Sequence, residues 1–212
     1  MKSILEPQTH VEFQPVSASK MRIGIMGGTF NPIHLGHLNM AEQVRKKLDL
    51  DEIWFIPNNI PPHKKMDSQV TTKDRLAMLS LATRSNPHFR IMLLEILRGG
   101  VSYTVDTLRY LKKRAPRNQY YLIMGSDEVE SFPKWKDPEI IARLATLVGV
   151  KRPNFQVESK YPMIWVDAPS LEISSSYIRQ NVAMGQSIRY LVPEKVWQYI
   201  QERGLYLGED FF

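Results

Sequence analysis

The sequence predicts an α/β protein built on a doubly wound parallel sheet. Short apolar runs of strand length alternate with segments of helical periodicity along nearly the whole chain of 212 residues. This alternation is typical of a parallel sheet that carries helices on both faces. The composition agrees with a folded protein, because 43% of the residues are hydrophobic and 24% are charged. A chain of this length is expected to form one domain with a sizeable core.

The first elements follow from the apolar pattern. Residues 21–26 form an apolar run that leads into a glycine pair, as expected of a buried strand before a tight turn. Residues 35–48 carry apolar side chains at helical spacing. Residues 52–57 are predicted as the second strand, which a proline ends. Residues 58–69, with their prolines and polar turn signals, are predicted as a long loop.

The rest of the chain repeats the alternation. Thr71 and Asp74 form a capping-box pattern that opens a helix. The apolar run at 89–96 is predicted as the third strand. Residues 104–113 are predicted as a helix entered through Ser102, whose hydroxyl is one candidate cap. The remaining predicted strands lie at 120–125, 146–150 and 163–168. The remaining predicted helices lie at 138–145, 174–181 and 193–203.

Composition and charge exclude several classes of protein. The absence of cysteine excludes disulfide scaffolds, thiol nucleophiles and iron–sulfur sites. No apolar run approaches the roughly 20 residues that cross a bilayer, and residues 1–20 lack the apolar core of a signal peptide. We therefore expect a soluble cytoplasmic protein whose residues 1–20 are a flexible extension of a domain at 21–212. The net charge of +6 fits a nucleic-acid binder, a membrane binder or an enzyme for phosphorylated molecules.

The loop after the first strand is the strongest candidate for a phosphate site. In doubly wound sheets, ligands bind beyond the carboxyl ends of the strands, at the switch point. Gly27 and Gly28 allow close approach of the backbone to a ligand, and His34 and His37 lie three residues apart in the first turn of a helix. Free N–H groups and the helix dipole favour an anion there. Neither the G-x-G-x-x-G fingerprint nor a P-loop is present.

Two alternatives to that phosphate site remain. The segment is also compatible with a tight turn that carries incidental histidines. The H-x-x-H spacing would suit zinc, but no cysteine is available and the other histidines are scattered.

Two further loops carry candidate ligand groups. The loop from Asn58 to Lys65 sets His63 and Lys64 beside two prolines, which predicts either a stiffened cationic wall for phosphates or an exposed basic loop. At the start of the helix that follows Ser102, Tyr103 and Thr104 stand beside free N–H groups that would suit a ligand carboxylate. The alternative there is that the hydroxyls act only as helix caps.

The carboxyl end of the fourth strand adds a second group of candidates. Gly125 and Asp127 lie where ribose hydroxyls would be held in a nucleotide-binding sheet. Trp135 follows in a polar segment bracketed by a proline and Lys136, which suggests stacking on a flat heteroaromatic ring. Its alternative is partial core.

The last candidate site lies where the helix at 174–181 begins. Ser174 and Ser175 with Arg179 one turn on combine hydroxyls, free N–H groups and a guanidinium, a combination suited to a polyphosphate. An ordinary serine cap with a surface arginine is the alternative. The basic residues at 109, 112, 113, 114 and 117 lack interleaved aromatic residues and are interpreted as a solvated helix face.

These motifs together resemble the HxGH nucleotidyltransferase superfamily and, within it, the bacterial nicotinate-nucleotide adenylyltransferases. The resemblance covers nearly all of 21–212 and rests on the segments GGTFNPIHLGH, PNNIPPHK, SYTVDTL, GSDEVESFPKW and ISSSYIR. Asn31 departs from the family, which usually has Asp there; the loop geometry should survive while any charge-dependent role is in doubt. A Rossmann-like fold in one domain is implied.

The resemblance implies a step of NAD biosynthesis in which ATP and nicotinate mononucleotide give nicotinate adenine dinucleotide and pyrophosphate. Catalysis is assigned to His34, His37 and Arg179. The residues assigned to ATP are Gly27, Gly28, Thr29, Phe30, His34, His37, Lys64, Gly125, Asp127, Ser174, Ser175 and Arg179. Those assigned to nicotinate mononucleotide are Asn58, His63, Tyr103, Thr104, Trp135 and Lys136. Mg²⁺ is expected to bind mainly through the ATP phosphates, with no protein ligands assigned.

The assigned reaction fits the residue inventory, because in-line attack on the α-phosphorus of ATP needs positioning and charge neutralisation rather than a protein nucleophile. Alternatives are adenylyl or cytidylyl transfer to nicotinamide mononucleotide or phosphopantetheine, a hydride-transferring oxidoreductase, and a nucleotide sensor or RNA-binding protein. The expected partners are ATP and nicotinate mononucleotide, without nucleic acid or membrane. Homo-oligomer formation is left open.

Overall fold

The computed structural model describes residues 20–62, 70–151, 159–169 and 171–208. Within these ranges the core of the fold is one sheet of six strands, all of them parallel. The predicted doubly wound α/β fold is therefore confirmed. In chain order the strands are β1 (Arg22–Gly28), β2 (Glu52–Pro57), β3 (Phe89–Ile91), β4 (Gln119–Gly125), β5 (Thr146–Lys151) and β6 (Met163–Asp167).

The described ranges contain eight α-helices and one short 3-10 helix, Phe132–Lys134; six of the α-helices lie between strands, and the last two follow β6. The α-helices are α1 (Leu35–Lys47), α2 (Thr72–Thr83), α3 (Leu94–Arg98), α4 (Thr104–Arg114), α5 (Ser126–Ser131), α6 (Pro138–Leu144), α7 (Ser175–Ala183) and α8 (Glu194–Arg203). The described helices include none whose length and apolar character would let it span a membrane.

The strand order β3-β2-β1-β4-β5-β6 creates a single switch point. The chain first builds outward from β1 through β2 to β3, and then returns to the other side of β1 with β4. The loops that leave β1 and β4 diverge to opposite faces at this point, which opens a crevice beyond the carboxyl ends of the two strands.

The two faces of the sheet bury two apolar clusters. Alternate residues of β1 and β4 point to opposite faces, so Ile25 and Leu122 belong to one cluster and Met26 and Ile123 to the other. Helices α4 and α6 cover the first face, while α1, α2, α7 and α8 cover the second. This double cover explains why the central strands read as continuous apolar runs.

The third predicted strand is only partly correct. The structure ends β3 at Ile91 and turns residues 94–98 into α3. A short apolar run is ambiguous in periodicity, and here the buried carboxyl of Glu95 fixes the second half of the run as a helix, because it hydrogen-bonds to Thr107 in α4. Helix α5 was not predicted at all, since its six residues carry one large apolar side chain, Val129.

The capping box of α2 is confirmed in detail. The Asp74 backbone N–H donates to Thr71 Oγ1 at 3.1 Å, and the Thr71 N–H donates to Asp74 Oδ2 at 3.0 Å. The expected flexible extension at 1–20 lies outside the described residues except for Lys20.

Candidate active site

The candidate site lies at the switch point between β1 and β4. The loop after β1 leads into α1, and the loop after β4 leads directly into α5, so both helices begin at the carboxyl edge of the sheet. The loop after β2 is hydrogen-bonded to the end of β1 and to the loop that follows it. The Asn58 N–H donates to Gly28 O at 3.0 Å, and Asn58 Nδ2 donates to Thr29 Oγ1 at 3.3 Å. Predicted residues from three separate loops are thus brought to one edge.

His34 and His37 are held as one unit at the start of α1. His34 is the N-cap residue, and its backbone N–H donates to Nδ1 of His37 at 3.3 Å. The two rings stack with centroids 3.7 Å apart. Because Nδ1 of His37 accepts a hydrogen bond, the neutral ring carries its proton on Nε2. His37 therefore presents an N–H donor of the kind that a phosphate oxygen accepts.

The glycine between the histidines is required by close packing. A Cβ at Gly36 would lie 3.0 Å from Nδ1 and 3.1 Å from Cε1 of the His34 ring. Contacts this short are rare, so a Cβ at this position would push the His34 ring by a few tenths of an ångström. The H-x-G-H spacing is thus explained by geometry: the buried His34 ring lies over the backbone of Gly36 and against His37.

The start of α7 is docked on the loop after β1. The Ser175 hydroxyl donates to Pro32 O at 2.9 Å, and Arg179 Nη1 donates to Asn31 O at 2.8 Å. Ser174 caps the helix by accepting from the Tyr177 N–H at 3.1 Å, as its alternative interpretation held. The structure therefore brings Ser175 and Arg179 beside the histidine loop, from more than 140 residues away in sequence.

Asn31 is explained by a contact that sequence reasoning missed. Its side chain is buried, and Oδ1 accepts a hydrogen bond from the Tyr206 hydroxyl at 2.7 Å. The carboxylate oxygen of an aspartate would accept the same hydrogen bond. The asparagine at position 31 therefore keeps the contact with Tyr206 that the usual aspartate could make. Tyr206 follows α8 and lies in the apolar cluster that contains Met26 and Ile123. The sequence around Tyr206 gave no sign of a role in the site.

Arg75 is a second residue that sequence reasoning missed. Its side chain in α2 is fully buried; Nη1 donates to Thr29 O at 2.8 Å and Nη2 to Thr72 Oγ1 at 3.3 Å. Burial lowers the pKa of its guanidinium, and no carboxylate in the described residues forms an ion pair with it. A signal was present, because Arg75 shares the core face of α2 with Met78, Leu79 and Ala82.

At the end of β4, the predicted ribose group lies on the first turn of α5. The Gly125 N–H donates to Glu128 Oε2 at 2.9 Å, and Asp127 is exposed at the carboxyl edge beside β1. The neighbouring Ser126 is buried and donates to Val150 O at 3.3 Å. Asp127 is therefore placed at the switch point, as expected, on a helix that was not predicted.

Tyr103 and Lys136 meet although 33 residues separate them. Lys136 Nζ lies 4.4 Å from the centroid of the Tyr103 ring and 3.3 Å from Asp106 Oδ2. Tyr103 is the N-cap of α4 and makes no side-chain cap hydrogen bond. The alternative interpretation, in which the hydroxyls only cap the helix, does not hold for Ser102, whose hydroxyl oxygen accepts from the Asn59 N–H at 2.9 Å instead. The first turn of α4, with Thr104, thus faces a cation.

Trp135 lies close by and is half-buried. Its ring packs on Phe132 with centroids 5.5 Å apart, and Nε1 donates to Ser131 Oγ at 3.3 Å. The partial-core interpretation is therefore correct for part of the ring. Of the other predicted residues, His63 and Lys64 lie outside the described residues.

Comparison with known proteins agrees with this geometry. The cytidylyltransferase-like family profile matches residues 25–181. A protein of Geobacillus kaustophilus named probable nicotinate-nucleotide adenylyltransferase is 51% identical over 87% of this chain and 86% of its own. The Bacillus subtilis nicotinate-nucleotide adenylyltransferase is 46% identical over 87% of this chain and 98% of its own. The chain belongs to the nicotinate-nucleotide adenylyltransferase family.

The relationship of this adenylyltransferase to solved structures is visible in the fold. Nicotinic acid mononucleotide adenylyltransferase of Plasmodium falciparum, complexed with NaAD, superposes with a TM-score of 0.75 over 88% of this chain and 97% of the other. Its sequence is only 21% identical, so the likeness concerns the architecture: a parallel sheet with its helices. The resemblance stated from the motifs is confirmed at the level of the family.

Proposed function

We propose that this chain transfers the adenylyl group of ATP to nicotinate mononucleotide at the crevice between β1 and β4. The named relatives are nicotinate-nucleotide adenylyltransferases, and the Plasmodium falciparum neighbour was solved with NaAD. The observation that carries the proposal is the stacked His34–His37 pair at the start of α1, with His37 Nδ1 engaged by the backbone. That arrangement suits a phosphate and has no evident use in the core.

The reaction is a direct displacement at phosphorus. A phosphate oxygen of nicotinate mononucleotide forms a bond to the α-phosphorus of ATP, the bond from that phosphorus to the bridging oxygen of the β-phosphate breaks, and pyrophosphate leaves with the electron pair. Charge grows on the phosphoryl oxygens during this step. The Nε2–H of His37 donates to such an oxygen and requires no proton transfer. His34 supports it by stacking and through its backbone N–H.

The remaining ATP contacts come from four segments. Gly27, Gly28, Thr29 and the backbone of Phe30, whose side chain is buried in the core, are proposed to contact the phosphates, and Gly125 with Asp127 would hold the ribose. Arg179 uses Nη1 on Asn31 O and Nη2 on Ser176 Oγ, and a guanidinium has five N–H donors, so it has donors left for a phosphate. Ser174, Ser175 and Lys64 are proposed to complete the polyphosphate site.

Nicotinate mononucleotide is proposed to bind beside α4. Its pyridine carboxylate would meet the first turn of α4 at Tyr103 and Thr104, with Lys136 Nζ close by. Trp135 would stack on the ring, and Asn58 and His63 would contact the phosphate side. Because Lys136 Nζ is also paired with Asp106 Oδ2 at 3.3 Å, the N–H groups at the start of α4 would supply most of the preference for the anionic nicotinate over the neutral nicotinamide.

Divalent metal enters this account with ATP. The described residues contain no cluster of three or more His, Asp or Glu side chains suited to a metal, and Mg²⁺ commonly binds substrate phosphates and water rather than an all-protein cage. We propose that the ion is Mg²⁺ bound mainly through the ATP phosphates; when bound, it would supply neutralisation of phosphate charge, while the residues above position the substrates.

Pyrophosphate release with ATP and either nicotinate or nicotinamide mononucleotide tests the function. We expect a kcat/KM for the nicotinate form at least about tenfold higher, the factor of one additional charge-assisted hydrogen bond. Equal values for both acceptors, or no release with either, would contradict the proposal. Detection of nicotinate adenine dinucleotide as the second product excludes simple hydrolysis of ATP.

A further inference from the structure

The two loops proposed to bind the acceptor are joined to each other. We call residues 58–62 and 99–104 the acceptor loops. The Ser102 N–H donates to Ile60 O at 2.9 Å, and Asn59 Nδ2 donates to Gly100 O at 3.0 Å. The Asn59 N–H donates to Ser102 Oγ at 2.9 Å. Ser102 therefore contacts the other acceptor loop with both its backbone and its side chain.

A buried carboxyl group lies beneath this junction. Glu95 in α3 is 7% exposed, and its Oε1 accepts from Thr107 Oγ1 at 2.6 Å. Burial raises the pKa of the same carboxyl group, and the Ser102 hydroxyl lowers it against that larger effect. Arg98 Nη1 approaches the Thr107 oxygen at 3.3 Å. Nothing in the proposed reaction uses Glu95 directly, and an ionisable side chain is costly to bury without a purpose.

The hydrogen bonds of Glu95 have a fixed direction. A hydroxyl group has one hydrogen to donate, and a carboxylate only accepts. Thr107 therefore donates to Glu95 and accepts from Arg98, and Ser102, whose oxygen accepts from the Asn59 N–H, keeps its own hydrogen for the Glu95 side. The Glu95 carboxyl group thus orients the Thr107 hydroxyl below Tyr103 and Thr104, and it interacts with Ser102, the residue that is hydrogen-bonded to the loop carrying Asn58.

We infer that Glu95 is a positioning residue that sets the acceptor loops in the geometry that binds nicotinate mononucleotide. The role rests on the proposed function. Glu95 acts through Ser102 and Thr107 on the acceptor half of the site, and it reaches the ATP half only through the contacts of Asn58 with Gly28 and Thr29. The anchors of the ATP half come from elsewhere: Arg75, Ser175, Arg179 and Tyr206 hold the loop after β1.

The test is a separation of the two Michaelis constants in Glu95→Gln. A glutamine has one oxygen that accepts hydrogen bonds, and its NH₂ group only donates. It therefore cannot offer a separate accepting oxygen to each of the two hydroxyls. We expect the KM for nicotinate mononucleotide to rise about tenfold, the effect of one lost buried hydrogen bond. The KM for ATP should stay within about twofold. Glu52→Gln, at the opposite edge of the sheet, is the charge-matched control, with both constants unchanged.

Further variants keep the inference testable if Glu95→Gln does not fold. Ser102→Ala and Thr107→Val each remove one hydroxyl and should raise the same KM selectively. Glu95→Gln combined with Ser102→Ala should cost no more than the larger single change, because both act in one chain of hydrogen bonds. Suppose that the wild type turns over nicotinate mononucleotide, but the variants change both KM values equally or change neither. That result would overturn this role alone. No turnover by the wild type would refute the proposed function and this role with it.

Discussion

At the scale of single residues, the site depends on side chains that are fixed by backbone atoms. His37 is oriented by the His34 N–H, Arg179 by Asn31 O, and Arg75 by Thr29 O. Backbone partners do not vary with sequence, so these orientations are set by the path of the loop. Precise placement of such groups is what direct displacement at phosphorus requires, because no protein nucleophile contributes.

Replacing Gly36 with alanine tests the packing of the histidine pair. The new Cβ would lie 3.0 Å from His34 Nδ1 and displace the ring. We expect kcat to fall at least about tenfold, since small misplacements of catalytic groups carry costs of this order. The free energy of unfolding should change by less than about 1 kcal/mol, because alanine favours the helix. A wild-type kcat in this variant would contradict the role given to the stacked rings.

Replacing Arg75 with methionine separates stability from activity. A buried charge costs desolvation, so an apolar side chain of similar length is expected to leave the melting temperature within a few degrees. The loop at Thr29 loses its anchor, and kcat/KM for ATP should fall about tenfold. Arg75→Lys keeps the charge but lacks the planar set of N–H donors. Its kcat/KM for ATP should lie between those of the wild type and Arg75→Met. Loss of stability with unchanged kinetics would show that Arg75 acts only in the core.

At the scale of elements, α8 and the residues after it support α2 and the loop after β1. The Tyr199 hydroxyl donates to Asp74 Oδ1 at 2.9 Å, and Arg203 lies 3.6 Å from the same oxygen. Burial alone would raise the pKa of Asp74, but hydrogen bonds from Thr71 and Tyr199 outweigh it and leave that pKa lowered. The start of α2 is thus held by its own cap and by α8.

Replacing Tyr199 with phenylalanine tests this contact through pH. Burial, with the hydrogen bond to Asp74, raises the pKa of Tyr199 from 10.0 to about 12. The contribution of its hydroxyl is therefore present below about pH 10 and lost as the pH rises towards 12. We expect the wild type to exceed Tyr199→Phe by about 1 kcal/mol in free energy of unfolding at neutral pH. The difference should shrink between pH 10 and 12; a constant difference would contradict the account.

The elements also show what the sequence could and could not predict. Strands with buried apolar runs, such as β1 and β4, and helices with caps, such as α2, were predictable because local pattern decides them. The segment 89–96 was not, because a tertiary contact of Glu95 overrides its apolar pattern. The histidine motif was visible in the sequence, whereas Arg75 and Tyr206 act on residues 46 and 175 positions away.

At the scale of the whole molecule, several of the basic groups counted in the net charge of +6 are engaged by neighbouring groups at the surface. Arg109 lies 3.4 Å from Asp106 and 3.3 Å from Asp137, and Lys112 Nζ donates to Asn118 O at 2.8 Å. These contacts support the interpretation of the basic residues of α4 as a solvated helix face. We expect the charges that matter for function to be the few at the switch point.

A salt titration against single-stranded RNA tests that interpretation. We expect no saturable binding at about 0.15 M salt, and only weak, steeply salt-dependent binding at low ionic strength. ATP, whose site is built from fixed donors, should retain its affinity over the same range to within about threefold. Tight RNA binding at physiological salt would instead support a nucleic-acid partner.

The turnover number of His37→Ala tests the central claim most directly. Removing the Nε2–H donor should lower kcat at least about a hundredfold, the usual cost of losing one transition-state hydrogen bond. The melting temperature and the affinity for ATP should stay close to wild type, because the ring is only partly buried and contributes mainly in the transition state. A kcat within about threefold of wild type in a folded variant would contradict the catalytic role of His37.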